Sequence, residues 1–276
     1  MGKARQTSGT AAARTKPWLI AAGAAIGWGI LTMTVLHLIS SHNPVLDTLS
    51  SYAYTDRGTG MFEASVLSLA VGSFCLLGAL YASGITVSRT TTTLFSTWSL
   101  GLATAAVFPA SYASYPRPVS GEIHQYSCLV AFLSMPAIGF SLLDKISADR
   151  AKLVRLTRYS LGGLILFGAS YLLSNFPGTP VISQLHAALP VGVTQRLALG
   201  VNLALLFGLM LLASRASSVN RLQAVAVKAG QPARVHENDL LVDAEVASFG
   251  PADQRGGRLA VVNRFEYNTF RSSEKL

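Results

Sequence analysis

The residues with the chemistry of acid–base catalysis lie in polar stretches that separate long apolar runs. His124 follows Glu122 by two positions, and Asp47 and Ser51 lie in an earlier stretch. Histidine exchanges a proton near neutral pH, and a carboxylate can orient its ring. A serine hydroxyl beside such a base can act as a nucleophile. The candidate catalytic residues are therefore His124, Glu122, Asp47 and Ser51, with Ser50 as an alternative nucleophile.

A second group of polar residues in the same stretches has the chemistry of ligand binding. These side chains offer aromatic faces, hydrogen bonds and charges of both signs. The candidate substrate-binding residues are Tyr52, Asp56, Arg57, His186 and Arg196. Tyrosine in such positions is also typical of the aromatic belt at a membrane interface, which is a structural alternative to binding.

Metal binding is the competing chemistry for the histidines. The side chains of a type that zinc accepts are His37, His42, His124 and His186, with Asp47 or Glu122. No two histidines have the HxxxH or HxxEH spacing that places two ligands on one helix face. We therefore predict no metal. Since the chain also has no Walker loop and no GxGxxG after a strand, we predict no cofactor.

The carboxylates have a purely structural alternative. Ion pairs between the acidic residues and the arginines of these stretches would form a cap that holds the loops over the rest of the protein. The residues available for such a cap are Asp47, Asp56, Glu63 and Glu122 on one side and Arg57, Arg117 and Arg196 on the other. Catalysis and an ion-pair cap are both left open by the residue types.

The apolar runs that must position these residues have the length of membrane spans. Half of the 276 residues are hydrophobic and only 13% are charged, against about 25% in soluble domains. A helical span needs about 20 mostly apolar residues. Six runs qualify, at residues 18–39, 61–85, 94–113, 123–143, 159–176 and 197–214. The sequence predicts an all-α, polytopic transmembrane helix bundle.

The distribution of basic residues predicts the orientation of this bundle. With the N-terminus in the cytoplasm, the external stretches hold only Arg57, Arg117 and Arg196 of the 22 lysines and arginines. Cytoplasmic loops of membrane proteins collect such residues. We expect a multi-pass protein of the cell membrane with both termini cytoplasmic. The net charge of +9 is then explained by the basic residues of the cytoplasmic segments. We therefore predict no nucleic-acid partner.

Three regions follow from this arrangement. Residues 1–16 form a basic cytoplasmic N-terminus, residues 17–214 a six-helix transmembrane domain, and residues 215–276 a cytoplasmic tail. The tail mixes acidic residues with Gly and Pro and has no long periodic run, so we expect it to be largely disordered, with a possible protein partner. Small residues at helical spacing, such as Gly23 and Gly27, are candidate helix contacts.

Three short motifs resemble those of a known family. They are DTLSSY at residues 47–52 with GMF at 60–62, Phe108-Pro109 followed by GEIH at 121–124, and Gln195-Arg196. Over about residues 17–214 the chain resembles the domain of unknown function 998 family of polytopic bacterial and archaeal membrane proteins. The resemblance implies architecture and no activity. The family often has an acidic residue after the Phe-Pro pair, where this chain has Ala110 and Ser111.

Three functions are compatible with these residues. The first is binding or processing of a lipid, isoprenoid or other amphiphile at a polar site that faces the outer leaflet. The second is a non-catalytic accessory or assembly protein with a structural ion-pair cap. The third is a small-solute transporter, which ordinarily has polar or broken helices near the midplane. Here the middles of the spans carry no charge, and Asn202 is a lone amide that we expect to bridge helices.

Overall fold

The computed structural model describes residues 7–146, 149–175, 184 and 188–228, and in these it is built from helices without a strand. We number the helices in chain order: α1 Thr7–Ile39, α2 Met61–Ala82, α3 Arg89–Val107, α4 Pro118–Leu142, α5 Arg150–Asn175 and α6 Val191–Lys228. Short 3-10 helices lie at Leu49–Tyr54 and Leu143–Lys145. The prediction of an all-α fold is confirmed for this part of the chain.

The third helix ends earlier than the sequence predicted. The side chain of Ser88 accepts a hydrogen bond from the Thr91 N–H at 3.1 Å and so caps the start of α3. Helix α3 ends at Val107, so the predicted span, which ran to residue 113, was wrong at its C-terminal end. Phe108 is extended because the following Pro109 disfavours helical backbone before it. The residues beyond form a loop with a single bridge between Tyr112 and Tyr115.

Both terminal helices reach outside the predicted transmembrane domain. The first begins at Thr7, within the region taken as a basic N-terminus, and the sixth continues to Lys228. Residues 215–228, the first part of the predicted tail, are therefore helical. The rest of the predicted tail, residues 229–276, lies outside the described residues. The second helix ends at Ala82 before Gly84, whose φ of +81° suits glycine.

Within the residues that the structure describes, four helical segments are long and apolar enough to cross a membrane. They are Arg14–Ile39, Met61–Ala82, Pro118–Lys145 and Val191–Val225. The six described helices nevertheless form one closed ring in chain order, in which each contacts the next and α6 returns to α1, with a further contact between α2 and α6. The shorter α3 and the more basic α5 are therefore members of the same bundle as the four apolar segments.

Among the described glycines of α1, Gly29 makes the closest approach to a neighbouring helix, which is α2. A Cβ on Gly29 would lie 2.8 Å from the Ser65 carbonyl oxygen, whereas a Cβ on Gly27 would meet nothing within 4 Å. Ser65 also donates its hydroxyl to the Gly29 carbonyl at 2.7 Å. Of the predicted pair, Gly23 does face a neighbour, since its Cβ would lie 3.4 Å from the Met210 side chain of α6, whereas Gly27 faces none. Helix rotation decides which small residues meet another helix.

Hydrogen bonds between buried polar side chains connect neighbouring helices of the bundle. The Trp98 indole N–H donates to the Ser73 hydroxyl at 2.9 Å, and both side chains are buried. Ser160 of α5 donates to the Asn202 amide oxygen of α6 at 2.6 Å. Asn202 therefore bridges two helices, as predicted. In a smaller apolar cluster, Leu49 and Tyr52 of the 3-10 helix pack with Leu36 of α1 and Phe62 of α2.

Candidate functional site

A cavity of about 490 Å³, which we call the chamber, lies inside the helix ring. Most of its wall is aliphatic or aromatic and comes from α1, α2, α3, α4 and α6. Most of its polar residues lie at the end next to the 3-10 helix Leu49–Tyr54: His37, Ser50, His124, Gln195 and Arg196. The other two, Thr34 and Ser65, donate their hydroxyls to backbone carbonyls of α1. A volume of this size is within the range of small-molecule binding sites.

The guanidinium of Arg196 is the centre of the polar end. Its Nε–H donates to Nε2 of His37 at 2.9 Å. One terminal nitrogen donates to the carbonyl oxygens of Asp47 at 2.8 Å and Gly192 at 2.9 Å. The other donates to the Tyr52 hydroxyl at 3.0 Å. Four of the five guanidinium N–H groups are thus used, and every acceptor is uncharged.

Two histidines of the chamber are held in a known tautomer by backbone carbonyls. Nδ1 of His37 lies 2.7 Å from the Met33 carbonyl oxygen, so it carries the proton, and Nε2 is the acceptor that Arg196 requires. Nδ1 of His124 likewise faces the carbonyls of Ala105 at 2.8 Å and Phe108 at 2.9 Å. Its Nε2 is 3.5 Å from the Cys128 sulfur.

The buried His124 therefore takes its orientation from the end of α3. Its side chain is only 7% exposed, and its partners are carbonyls, where we had expected a carboxylate. Its candidate partner Glu122 lies beside it on the wall of a neighbouring cavity of about 580 Å³, between α4 and α5. The two cavities share the wall residues Ser50, His124, Cys128, Phe132 and Gln195.

The hydroxyl groups of Thr48, Ser50 and Tyr112 form a hydrogen-bonded network beside these two cavities. The Tyr112 hydroxyl lies 2.7 Å from Thr48 Oγ1 and 2.8 Å from Ser50 Oγ. Burial raises the pKa of Tyr112, and its hydrogen bonds with Ser50 and Thr48 oppose that rise only in part. The phenol is therefore protonated at neutral pH. Ser50, the alternative nucleophile, is engaged by Tyr112 and Thr48.

Three further candidate residues line a third cavity, which we call the vestibule. Its volume is about 500 Å³, and Asp47, Ser51 and Asp56 are among its lining residues. The Asp47 carboxylate accepts the Asn43 N–H at 2.8 Å and lies 3.4 Å from Nδ1 of His42. Ser51 donates to the Thr48 carbonyl at 2.7 Å. None of these three residues lines the chamber with His124.

The predicted constellation is therefore divided among three cavities. His124 and Arg196 meet in the chamber, with Tyr52 bonded to Arg196, while Glu122 lies in the neighbouring cavity. The Arg57 side chain lines none of the three cavities. His186 lies outside the described residues.

The expected cap of arginine–carboxylate pairs is absent from the described part of the chain. Its ion pairs are His42 with Asp47, and Asp149 with both Lys152 and Arg215. The described residues also contain no group of three His, Cys, Asp or Glu side chains that could hold a metal ion. The structure adds His37, Gln195 and Tyr112 to the site. His37 lies one turn inside α1, and Gln195 belongs to a quoted motif, but nothing in the sequence indicated that they share a cavity.

The chain belongs to the family described as protein of unknown function (DUF998), whose sequence profile matches residues 11–212. The resemblance drawn from the three motifs is thereby confirmed. No curated protein and no solved structure shows a significant match to the chain.

Proposed function

We propose that the protein binds an amphiphile in the chamber, with the chain among the apolar helices and the headgroup at the polar end. The observation that carries this proposal is the division of one cavity into an apolar body and a polar end. On α1 the lining runs from Ile26 to Leu38, which at 1.5 Å per residue is about 18 Å along the helix. That depth suits an aliphatic chain rather than a compact solute.

Binding accounts for the polar end better than covalent chemistry does. The side chains there are held by the protein itself: Arg196 by four bonds, His124 by two carbonyls and Ser50 by two hydroxyls. No hydrogen bond joins Ser50 or Ser51 to His124 among the described residues. Such a rigid polar end is suited to recognising a headgroup.

The same proposal includes a topology of six spans with both termini in the cytoplasm. Helices α3 and α5 lie in the ring beside the four apolar segments and present large apolar side chains outward. Leu100 of α3 is 58% exposed and Ile165 of α5 is 63% exposed. Outside the C-terminal tail, ten lysines and arginines fall on the cytoplasmic side of this topology and three on the other.

Filling the chamber tests binding. Leu203→Trp adds bulk to the chamber wall, and Leu211→Trp adds the same bulk to the outward face of α6, where Leu211 is 58% exposed. The full chain would be purified in mild detergent and titrated with oleate and with monoolein, using native mass spectrometry. We expect Leu203→Trp to lose binding of whichever amphiphile the parent binds, while Leu211→Trp keeps it. Equal binding by both variants, with unchanged melting temperatures, would place the ligand elsewhere.

Cysteine labelling tests the topology. With Cys75 and Cys128 replaced by Ala, single cysteines at Ser114 and Thr90 report the two ends of α3, since both positions are exposed. A membrane-impermeant maleimide should label Ser114→Cys in intact cells and Thr90→Cys only after permeabilisation. The reverse pattern would invert the orientation, and labelling of both from one side would exclude α3 as a span.

A further inference from the structure

We infer that the headgroup bound at the polar end of the chamber is an anion, either a carboxylate or a phosphate. This inference rests on the proposed function and names the class of amphiphile. It starts from the charge of the chamber. Among the described residues that line it, Arg196 is the one that carries a full charge at neutral pH, and no Asp, Glu or Lys lines it.

The charge of Arg196 is not balanced by any carboxylate in the described part of the chain. Its four bonds go to an imidazole, a phenol and two backbone carbonyls. Asp47 supplies one of those carbonyls, but its carboxylate faces His42 and Asn43 in the vestibule. A cation withdrawn from bulk water without a counter-charge favours an anion as its ligand.

Neither histidine of the chamber supplies the negative charge that Arg196 lacks. Both ring nitrogens of His37 are engaged, since Nε2 accepts from Arg196 while Nδ1 donates to the Met33 carbonyl. The geometry of His124 is the same on its Nδ1 side, with two carbonyls as acceptors. The polar end therefore presents the charge of Arg196 with no anionic side chain among the described residues that line the chamber.

Two neighbouring residues hold N–H groups available to such an anion. Arg196 has a fifth guanidinium N–H that none of its four bonds uses. The amide oxygen of Gln195 accepts the Leu49 N–H at 2.6 Å, so its NH₂ group is the free end of the side chain. That NH₂ donates to no described residue, and Gln195 lines the chamber. Charge and spare donors thus coincide at the start of α6.

The test compares three amphiphiles with the same oleoyl chain: oleate, oleoyl lysophosphatidate and uncharged monoolein. On the full chain in neutral detergent, at a pH where both acids are ionised, we expect at least one anion to bind about tenfold more tightly than monoolein. The preferred anion identifies a carboxylate or a phosphate as the natural headgroup. Equal affinities for all three would overturn the inference while leaving the proposed function intact, and binding of none would refute both.

A charge substitution tests whether the anion binds beside Arg196. Gln195→Glu keeps an acceptor for the Leu49 N–H and adds a negative charge beside Arg196, so it avoids the folding risk of removing Arg196. We expect it to weaken binding of the preferred anion about tenfold and to change monoolein binding less than about twofold. The control is Gln223→Glu, the same change on an exposed residue of α6 that lines none of the three cavities. An equal loss in the control would refute the location.

Discussion

Arg196 and His37, which are 159 residues apart in the chain, are joined by a 2.9 Å hydrogen bond from the guanidinium Nε–H to the imidazole Nε2. This bond connects α6 to α1 and closes the helix ring at the polar end of the chamber. It also determines the tautomer of His37, since an accepting Nε2 leaves the proton on Nδ1 for the Met33 carbonyl. The guanidinium of Arg196 is therefore oriented in part by the imidazole of His37.

Replacing His37 should destabilise the bundle through Arg196. His37→Phe keeps a ring but removes the acceptor, which leaves a guanidinium N–H unpaired at a cost of about 1–3 kcal/mol. We expect a lower melting temperature in detergent, measured by circular dichroism. His37→Gln can still accept from Arg196 and should recover part of the loss. Equal melting temperatures for the two variants would show that the hydrogen bond contributes nothing.

Two glycines of α1 should respond oppositely to the same substitution. Gly29→Ala places a methyl group 2.8 Å from the Ser65 carbonyl oxygen, which forces α1 and α2 apart. Overpacking of this kind costs about 1–3 kcal/mol. Gly27→Ala meets nothing within 4 Å and should be neutral or slightly stabilising, because alanine favours helix. Melting temperatures of both variants test this, and a harmless Gly29→Ala would mean that the two helices can separate freely.

Tyr112 should make stability fall in alkaline solution. Burial raises its pKa, so above the unfolded value of about 10 the unfolded chain releases a proton that the folded protein keeps. The stability present below that pH is therefore lost as the pH rises through the folded pKa. Tyr112→Phe should lessen this alkaline loss, measured by denaturant unfolding against pH. The control is Tyr159→Phe, a residue that is 61% exposed; the same effect there would refute the assignment to Tyr112.

Asp149 should contribute stability that disappears in acid. Burial alone would raise its pKa, but the hydrogen bond and charge of Arg215, aided by Lys152, outweigh burial and lower it. The contribution is thus present above the unfolded pKa of about 3.9 and is lost as the pH falls through the folded pKa. Because both side chains reach solvent, with Arg215 50% and Asp149 23% exposed, we expect less than about 1 kcal/mol.

The measurement for Asp149 is the difference in unfolding free energy between the parent and Asp149→Asn across pH. The difference should exist at neutral pH and vanish in acid. Asp144→Asn provides a control, since Asp144 forms no ion pair with any residue that the structure describes. A pH-independent difference for Asp149→Asn would mean that the amide disturbs packing and that the charge is irrelevant.

The amino-acid sequence by itself determined that this chain is a bundle of apolar helices. Hydropathy and run length are local properties, and in lipid every backbone N–H and C=O must be satisfied within a helix. The six predicted runs therefore correspond to α1 through α6, and three short motifs sufficed to identify the family. The errors were at helix ends, as at Phe108, where proline chemistry ends a helix that hydropathy alone would continue.

Only the tertiary structure decided which polar residues meet. The sequence places Arg196 near four carboxylates, but helix rotation turns it toward His37, Tyr52 and two backbone carbonyls. It places His124 beside Glu122, but the carbonyls at the end of α3 hold its ring. These partners depend on the rotation and crossing of helices that are far apart in the chain. Those quantities are set by packing among all six helices, which no local pattern contains.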